Sequence, residues 1–129
     1  MYYLTAKIRG FWWAAIFYAL SIMAHIRETY RVLWEWRIGA GFSSVALIIG
    51  IVSGIIVFAA GVWVWKNAEE LLLRAIFLCL GAFFLCSSIS HAAILYGLNI
   101  YQAGALSFIF WLALSLFLGV LISRAAKND

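Results

Sequence analysis

Two histidines, His25 and His91, are the residues of this 129-residue chain best suited to chemistry. Two imidazoles from separate helices at the same depth can form a bis-histidine haem site, or part of a copper or zinc site. Glu28 follows His25 by three residues and could orient its ring as a hydrogen-bonded carboxylate. We therefore take His25 and His91 as candidate cofactor-binding residues, with haem or copper as the cofactor.

Each histidine also has a simpler interpretation. His25 ends an apolar stretch, where an imidazole can lie among lipid headgroups and interact with a helix C-terminus. His91 can hydrogen-bond to Ser87, four residues earlier. A first-row metal usually takes three or four protein ligands, and Cys79 and Cys86 show no metal-binding spacing. We assign no metal site of the chain's own, and both interpretations of the histidines stay open.

No catalytic motif accompanies the histidines. The sequence contains no phosphate-binding loop, zinc-protease motif, serine-hydrolase nucleophile motif or dinucleotide fingerprint. The segments between the apolar stretches are too short to build a water-exposed catalytic domain. We expect that the chain is not an enzyme on its own, although it could be a non-catalytic subunit of a membrane enzyme.

The composition indicates which elements must position these side chains. Hydrophobic residues make up 67% of the chain and charged residues 11%, whereas a soluble domain is about half apolar and a quarter charged. This balance excludes soluble enzymes, nucleic-acid-binding domains, disordered tails and secreted disulfide scaffolds. The absence of proline and the long, non-alternating apolar stretches favour helices over a β-barrel. The prediction is an all-α, polytopic integral membrane protein.

Four apolar segments are long enough to cross a bilayer, which takes about 20 helical residues. We expect one transmembrane domain, 1–129, whose four transmembrane helices lie at 10–26, 41–65, 71–98 and 101–123. The first segment is interpreted as an uncleaved helix rather than a removed signal peptide, because it carries bulky aromatic residues.

The connection RETYRVLWEWR, residues 27–37, separates helices 1 and 2. Its apolar residues recur at helical spacing, and its charged residues, Glu28 included, can share the opposite face. This pattern predicts a short interfacial amphipathic segment, or a helical extension of the first span.

The basic residues indicate the orientation. Six of the nine Lys and Arg residues fall on the side that would hold both termini, and three fall on the other. Because positive charge is retained preferentially in the cytoplasm, we expect a cell (inner) membrane protein with cytoplasmic N and C termini. The net charge of +4 is then matched to anionic lipid headgroups rather than to nucleic acid.

Tryptophans cluster near the expected ends of the spans, where indole rings prefer the headgroup level. The expected interfacial anchors are Trp12, Trp13, Trp34, Trp36, Trp63 and Trp65. Trp111 lies midway along the fourth span, so we expect it to pack against a neighbouring helix or another subunit.

Small residues at four-residue spacing let helix backbones approach closely in lipid. Ala46, Gly50 and Gly54 form such a ridge in the second span, and Ser115 and Gly119 form one in the fourth. We expect both to be helix-packing interfaces, without knowing which helices they contact.

Three functions are compatible with these features. The first is a small accessory or structural subunit of a respiratory, photosynthetic or membrane-oxygenase complex, contributing helix packing and a histidine to a site in the outer leaflet. The second is a haem- or metal-binding electron-transfer protein that uses His25 and His91. The third is a small oligomeric transporter or pore, which the lack of a polar stripe disfavours. The expected partners are the lipid bilayer, including bound lipids, and other membrane subunits, with no nucleic acid.

Overall fold

The computed structural model describes residues 12–128, and this part of the chain is helical apart from short connections at 38–43, 68–70 and 97–99. The helices are α1 (Trp12–Arg37), α2 (Ser44–Asn67), α3 (Leu71–Tyr96) and α4 (Ile100–Asn128). Three of them, α2, α3 and α4, are long and apolar enough to cross a membrane. The described chain is therefore all-helical, with three helices capable of spanning a bilayer.

Helix α1 continues without a break through residues 27–37, so this segment is a helical extension rather than a separate helix. Glu28 and Val32 are buried against the bundle, whereas Tyr30 and Trp34 are exposed. Of the charged residues, Glu28 is buried, whereas Arg27 and Arg31 are exposed. The amphipathic character of this segment stays a prediction.

Local hydrogen bonds fix both ends of the first connection. Ser43 caps α2 by accepting a hydrogen bond from the Ala46 amide at 3.3 Å. The Glu35 carboxylate in turn accepts one from the Ser43 amide at 2.8 Å and lies 3.0 Å from Nε of Arg31. A carboxylate at this position interacts favourably with the positive N-terminus of α2. The end of α1 is thus fastened to the start of α2.

The turn between α3 and α4 is equally well defined. Gly97 ends α3 in the left-handed region, with φ of 117°, a conformation that glycine adopts without steric penalty. Asn99 and Gln102 then cap α4 reciprocally: each side-chain oxygen accepts a hydrogen bond from the other residue's amide, at 2.8 and 3.1 Å. Consecutive helices are therefore joined by short, hydrogen-bonded turns.

Helices α2 and α3 approach most closely where glycines meet. A Cβ atom added to Gly61 would lie 2.5 Å from the Phe77 carbonyl oxygen, and one added to Gly81 would lie 3.0 Å from the Phe58 Cα. Only glycine fits at such separations. Neither Gly61 nor Gly81 stood out in the sequence, although close backbone contact is what membrane helices require of small residues.

Helix α4 is the least buried of the four. Its buried residues are Ala103 and Leu118, and it packs against α3. The Trp111 ring meets Phe83 edge-on at a centroid distance of 5.9 Å, and the Ser107 hydroxyl donates to the Cys86 carbonyl at 2.8 Å. Trp111 thus packs against a neighbouring helix, one of the two alternatives expected.

Candidate functional site

The face of α1 that packs against the other helices carries several buried polar side chains. Its buried residues are Ser21, His25, Glu28 and Val32, spaced by four, three and four positions. This spacing places them on one face of a helix. Large apolar side chains project from the opposite side, namely Leu20, Met23, Ile26, Tyr30 and Leu33. Between Ile16 and Ile26, α1 is therefore polar where it meets the bundle and apolar where it faces outward, whereas Arg27, Arg31 and Arg37 beyond it are exposed.

His25 is held by hydrogen bonds from two neighbouring helices. Its Nδ1 lies 2.9 Å from the Gly50 carbonyl oxygen and 3.2 Å from the Ser53 hydroxyl on α2. Its Nε2 lies 2.7 Å from the Ser87 hydroxyl on α3. Because a carbonyl oxygen only accepts, Nδ1 carries the hydrogen in this arrangement, and Nε2 accepts from Ser87. The imidazole connects three helices through both of its nitrogens.

His91 has the same tautomer for the same reason. Its Nδ1 donates to the Ser87 carbonyl oxygen at 2.7 Å, four residues earlier on α3. Its Nε2 faces the Thr29 hydroxyl on α1 at 3.3 Å, a long distance for a hydrogen bond. The basic nitrogen of His91 is therefore the more weakly partnered of the two Nε2 atoms.

Gly50 is the meeting point of the polar groups. Its carbonyl oxygen lies within 3.2 Å of the Ser53 and Ser88 hydroxyls, in addition to His25 Nδ1. A Cβ atom at Gly50 would collide with the ring of His91. Because Gly50 has no side chain, the His91 ring fits against it, and the Gly50 carbonyl oxygen is a hydrogen-bond acceptor shared by His25, Ser53 and Ser88.

Glu28 completes the cluster from the next turn of α1. Only 4% of its surface is exposed, and its Oε2 is buried without a hydrogen-bond partner. The expectation that Glu28 orients His25 through a hydrogen bond is therefore not met.

The structure brings His25 and His91 together, with ring centroids 5.0 Å apart, and Phe84 stands edge-on to His25 at 5.1 Å. This arrangement does not fit a haem held between the two imidazoles. Each ring nitrogen already faces a protein hydrogen-bonding group, and a metal lies about 2 Å from each nitrogen that it binds. The rings are too close to admit a porphyrin between them.

Other metal-binding arrangements find little support in the same region. Within residues 12–128, no group of three or more His, Cys, Asp and Glu side chains is placed to hold a metal ion. Cys79 is half-buried and Cys86 is buried, and both are free thiols on α3. The geometry accordingly favours hydrogen bonding between helices as the role of the two imidazoles.

The two small-residue ridges lie in different surroundings. Ala46, Gly50 and Gly54 are buried in the bundle, and Gly54 faces Phe84 and Ser88 on α3. Gly119 is exposed, and a Cβ atom added there would meet nothing within 4 Å. With Ser115, it lines an open groove of about 450 Å³ on the outer surface of α4.

The tryptophans differ in their surroundings. Trp34 and Trp36 are exposed near the end of α1. Trp63 is also exposed, and Trp65 is half-buried beneath the Arg74 guanidinium, whose central carbon lies 4.2 Å from the ring centroid. The side chains of Trp12 and Trp13 lie outside the described residues.

No family model, no curated protein and no solved structure matches this chain. The site must therefore be interpreted from its geometry. Sequence reasoning missed the contributions of Thr29 and Ser53 and the burial of Glu28. A helical-wheel comparison of α1 could have found Glu28, because the spacing of Ser21, His25, Glu28 and Val32 describes one continuous face.

Proposed function

We propose that this chain is a small accessory subunit of a larger membrane protein complex, built from four membrane-spanning helices. The polar cluster around Gly50 holds α1, α2 and α3 together. Helix α4 contributes most of the surface offered to another subunit. The observation that carries this proposal is the small buried share of α4, whose buried residues are Ala103 and Leu118.

The distribution of side chains on α1 supports its assignment as the fourth span. Ser21, His25 and Glu28 are buried, while Leu20, Met23 and others of similar size are exposed. In water the apolar side chains would be expected inside and the charged ones outside. The reverse arrangement is stable where lipid surrounds the helix, because buried polar groups then find hydrogen-bond partners in the bundle.

A labelling experiment tests the four spans and their orientation. The variants Gly39→Cys and Lys127→Cys each carry a single thiol, in a chain whose Cys79 and Cys86 are replaced by alanine, and an epitope tag is added at the N-terminus. With four spans, the tag and the thiol at position 127 are accessible from the cytoplasm, and the thiol at position 39 only from outside. A tag on the same side as position 39 would show that α1 does not cross.

The outer surface of α4 is where a partner subunit is expected to pack. Large side chains cover it, including Phe110, Leu116 and Phe117, and the groove beside Gly119 has small residues that admit close approach. Such a face can be covered by another transmembrane helix without changing the bundle. The groove also ends at Arg124 and Lys127, which suits the headgroup of a bound anionic lipid.

Site-specific crosslinking in the native membrane tests the accessory role. A photoreactive residue at Leu116 or Gly119 is expected to give one defined crosslinked protein, which also co-purifies in fixed stoichiometry after gentle detergent extraction. The matched control is the same photoreactive residue at Met23, which is also exposed, on α1. A chain that purifies alone and crosslinks only to lipid from α4 contradicts the proposal.

The same preparations address the transporter alternative. Vesicles that contain the purified chain, in any oligomeric state, are expected to show no solute flux above that of empty vesicles. Reproducible flux that depends on the chain would favour an oligomeric transporter or pore over an accessory subunit.

A further inference from the structure

The open groove of about 450 Å³ on α4 lies in the C-terminal half of that helix. Its lining residues all belong to α4, from Ser115 at one end to Lys127 at the other. Gly119 has no side chain, and a Cβ atom added there would meet nothing within 4 Å. The groove is therefore open to whatever surrounds the helix.

The groove matches one leaflet of a bilayer in length. The step from Ser115 to Lys127 corresponds to about 18 Å along an α-helix. The hydrocarbon of one leaflet is about 15 Å thick, half that of the bilayer. Small and apolar residues line the groove first, and the basic residues come last, at the end of α4. In a membrane-spanning α4, the groove runs from headgroup depth toward the middle of the bilayer, which is the direction of a lipid's acyl chain.

Two positive charges lie at the headgroup end of the groove. Arg124 and Lys127 are exposed there, and neither forms an ion pair within residues 12–128. The acids Glu69 and Glu70 precede α3 at the same end of the bundle, and they pair with neither cation. The groove therefore presents two cations that no carboxylate of the described helices neutralises.

Hydroxyl groups in the groove also lack an acceptor. The hydroxyls of Ser115 and Ser123 make no hydrogen bond within the part of the chain that the structure describes, whereas Ser107 on the same helix donates to the Cys86 carbonyl. A polar group that faces lipid needs a partner, because the hydrocarbon offers none. Ser123 immediately precedes Arg124, so its hydroxyl lies beside a positive charge and can donate to an anion bound there.

We propose that the groove binds one anionic phospholipid. Its phosphate lies against Arg124 and Lys127 and accepts a hydrogen bond from the Ser123 hydroxyl, while an acyl chain lies along Gly119 and Val120. Guanidinium groups match phosphate oxygens in geometry and charge, and basic residues beside a transmembrane helix attract anionic lipids. In the proposed orientation this end of α4 is cytoplasmic, the side on which the bilayer surface is negative.

This inference rests on α4 crossing the membrane, which is part of the proposed function, but it requires no partner subunit. Phe110 and Phe117 are exposed and do not line the groove, so a partner helix can pack on α4 beside the lipid. The two proposals fail separately. Thiol labelling tests the spans, crosslinking to a protein tests the partner, and lipid retention by the isolated chain tests the groove.

Native mass spectrometry counts the lipids that stay on the chain when it is released from nanodiscs of equal phosphatidylglycerol and phosphatidylcholine. We expect one retained phosphatidylglycerol, with a preference over phosphatidylcholine that falls about tenfold or more when Arg124 and Lys127 are both replaced by glutamine. Replacing Arg27 and Arg37 by glutamine is the matched control, because it removes two exposed positive charges outside the groove. No preference in the unaltered chain, or an equal loss in both double variants, overturns the proposal.

A second pair of variants tests the shape of the groove without changing its charge. Gly119→Leu places a large side chain where the acyl chain would lie, so loss of the retained phosphatidylglycerol is expected. Gly104→Leu is the control, since Gly104 is also exposed on α4, has nothing within 4 Å of an added Cβ atom and does not line the groove. Circular dichroism shows whether both variants remain helical. Undiminished retention in a helical Gly119→Leu variant would mean that the lipid is held by charge alone, and it would overturn the groove as a site.

Discussion

The carbonyl oxygen of Gly50 lies 2.9 Å from Nδ1 of His25, so a backbone group of α2 and a side chain of α1 share a hydrogen bond within the bundle. In a helix this carbonyl would normally accept a single backbone amide four residues later. Here it also accepts from side chains on three helices. The Gly50 carbonyl oxygen therefore receives hydrogen bonds from His25, Ser53 and Ser88 although Gly50 itself has no side chain.

The first prediction concerns the missing side chain at that position. Gly50→Ala introduces a Cβ against the His91 ring, and overpacking of this kind costs about 1–3 kcal/mol. Gly119→Ala is the matched control, since a Cβ there meets nothing within 4 Å and alanine favours a helix over glycine by up to about 1 kcal/mol. Unfolding by SDS in mixed micelles should give opposite signs for the two variants. Equal effects would mean that α2 and α3 do not meet at Gly50.

The second prediction concerns the hydrogen bond between His25 and Ser87. A double-mutant cycle with His25→Phe and Ser87→Ala should give a coupling free energy of about 0.6–2 kcal/mol, the range for polar contacts between membrane helices. A control cycle with His25→Phe and Ser90→Ala should give coupling near zero, because the Ser90 hydroxyl donates to the Ser87 carbonyl within α3. Additive effects of His25→Phe and Ser87→Ala would contradict the contact.

The third prediction follows from the occupied imidazole nitrogens. Haem added to the purified chain should not produce the absorbance spectrum of a bis-histidine complex, because each nitrogen of His25 and His91 already has a protein partner. Titration followed in the Soret region measures this. A low-spin spectrum that disappears in both His25→Gln and His91→Gln would restore the electron-transfer hypothesis.

The fourth prediction concerns the hydrogen bond between the Glu35 carboxylate at the end of α1 and the Ser43 amide at the start of α2. Glu35→Ala removes the acceptor of the Ser43 amide and should cost about 1–2 kcal/mol, as expected for a charge-assisted bond at a helix N-terminus. Arg31→Gln removes the other partner of Glu35. The Arg31 side chain is 53% exposed, so its loss should change the free energy of unfolding by less than about 1 kcal/mol. A larger effect for Arg31 than for Glu35 would reverse this assignment.

Composition and apolar runs were sufficient to predict the helical architecture. Residues 41–65, 71–98 and 101–123 were expected as spans, and α2, α3 and α4 are helices long and apolar enough for that role. The turns were harder to place, because capping by Asn99 with Gln102, or by Ser43 with Glu35, depends on side-chain geometry. Helix α1 extends to Arg37 because no proline or glycine interrupts residues 12–37.

The site was predictable only in part. His25 and His91 could be singled out by residue type, but their hydrogen-bond partners come from residues up to 62 positions away. Which face of α2 meets α3 depends on the packing of Gly54 and Gly61, and apolar periodicity is weak in a helix that is hydrophobic all round. Glu28 is buried because the face of α1 on which it lies packs against the other helices, and the sequence alone does not determine which face that is.

Ser87 contacts both histidines through different atoms: its hydroxyl faces His25 and its carbonyl oxygen accepts from His91. A rotation of α3 about its own axis would carry Ser87 and His91 together, so the bond between them would survive while the contacts of Ser87 with His25 and of His91 with Thr29 would be lost. The orientation of α3 about its axis therefore determines whether α1 stays attached to it through these two polar contacts.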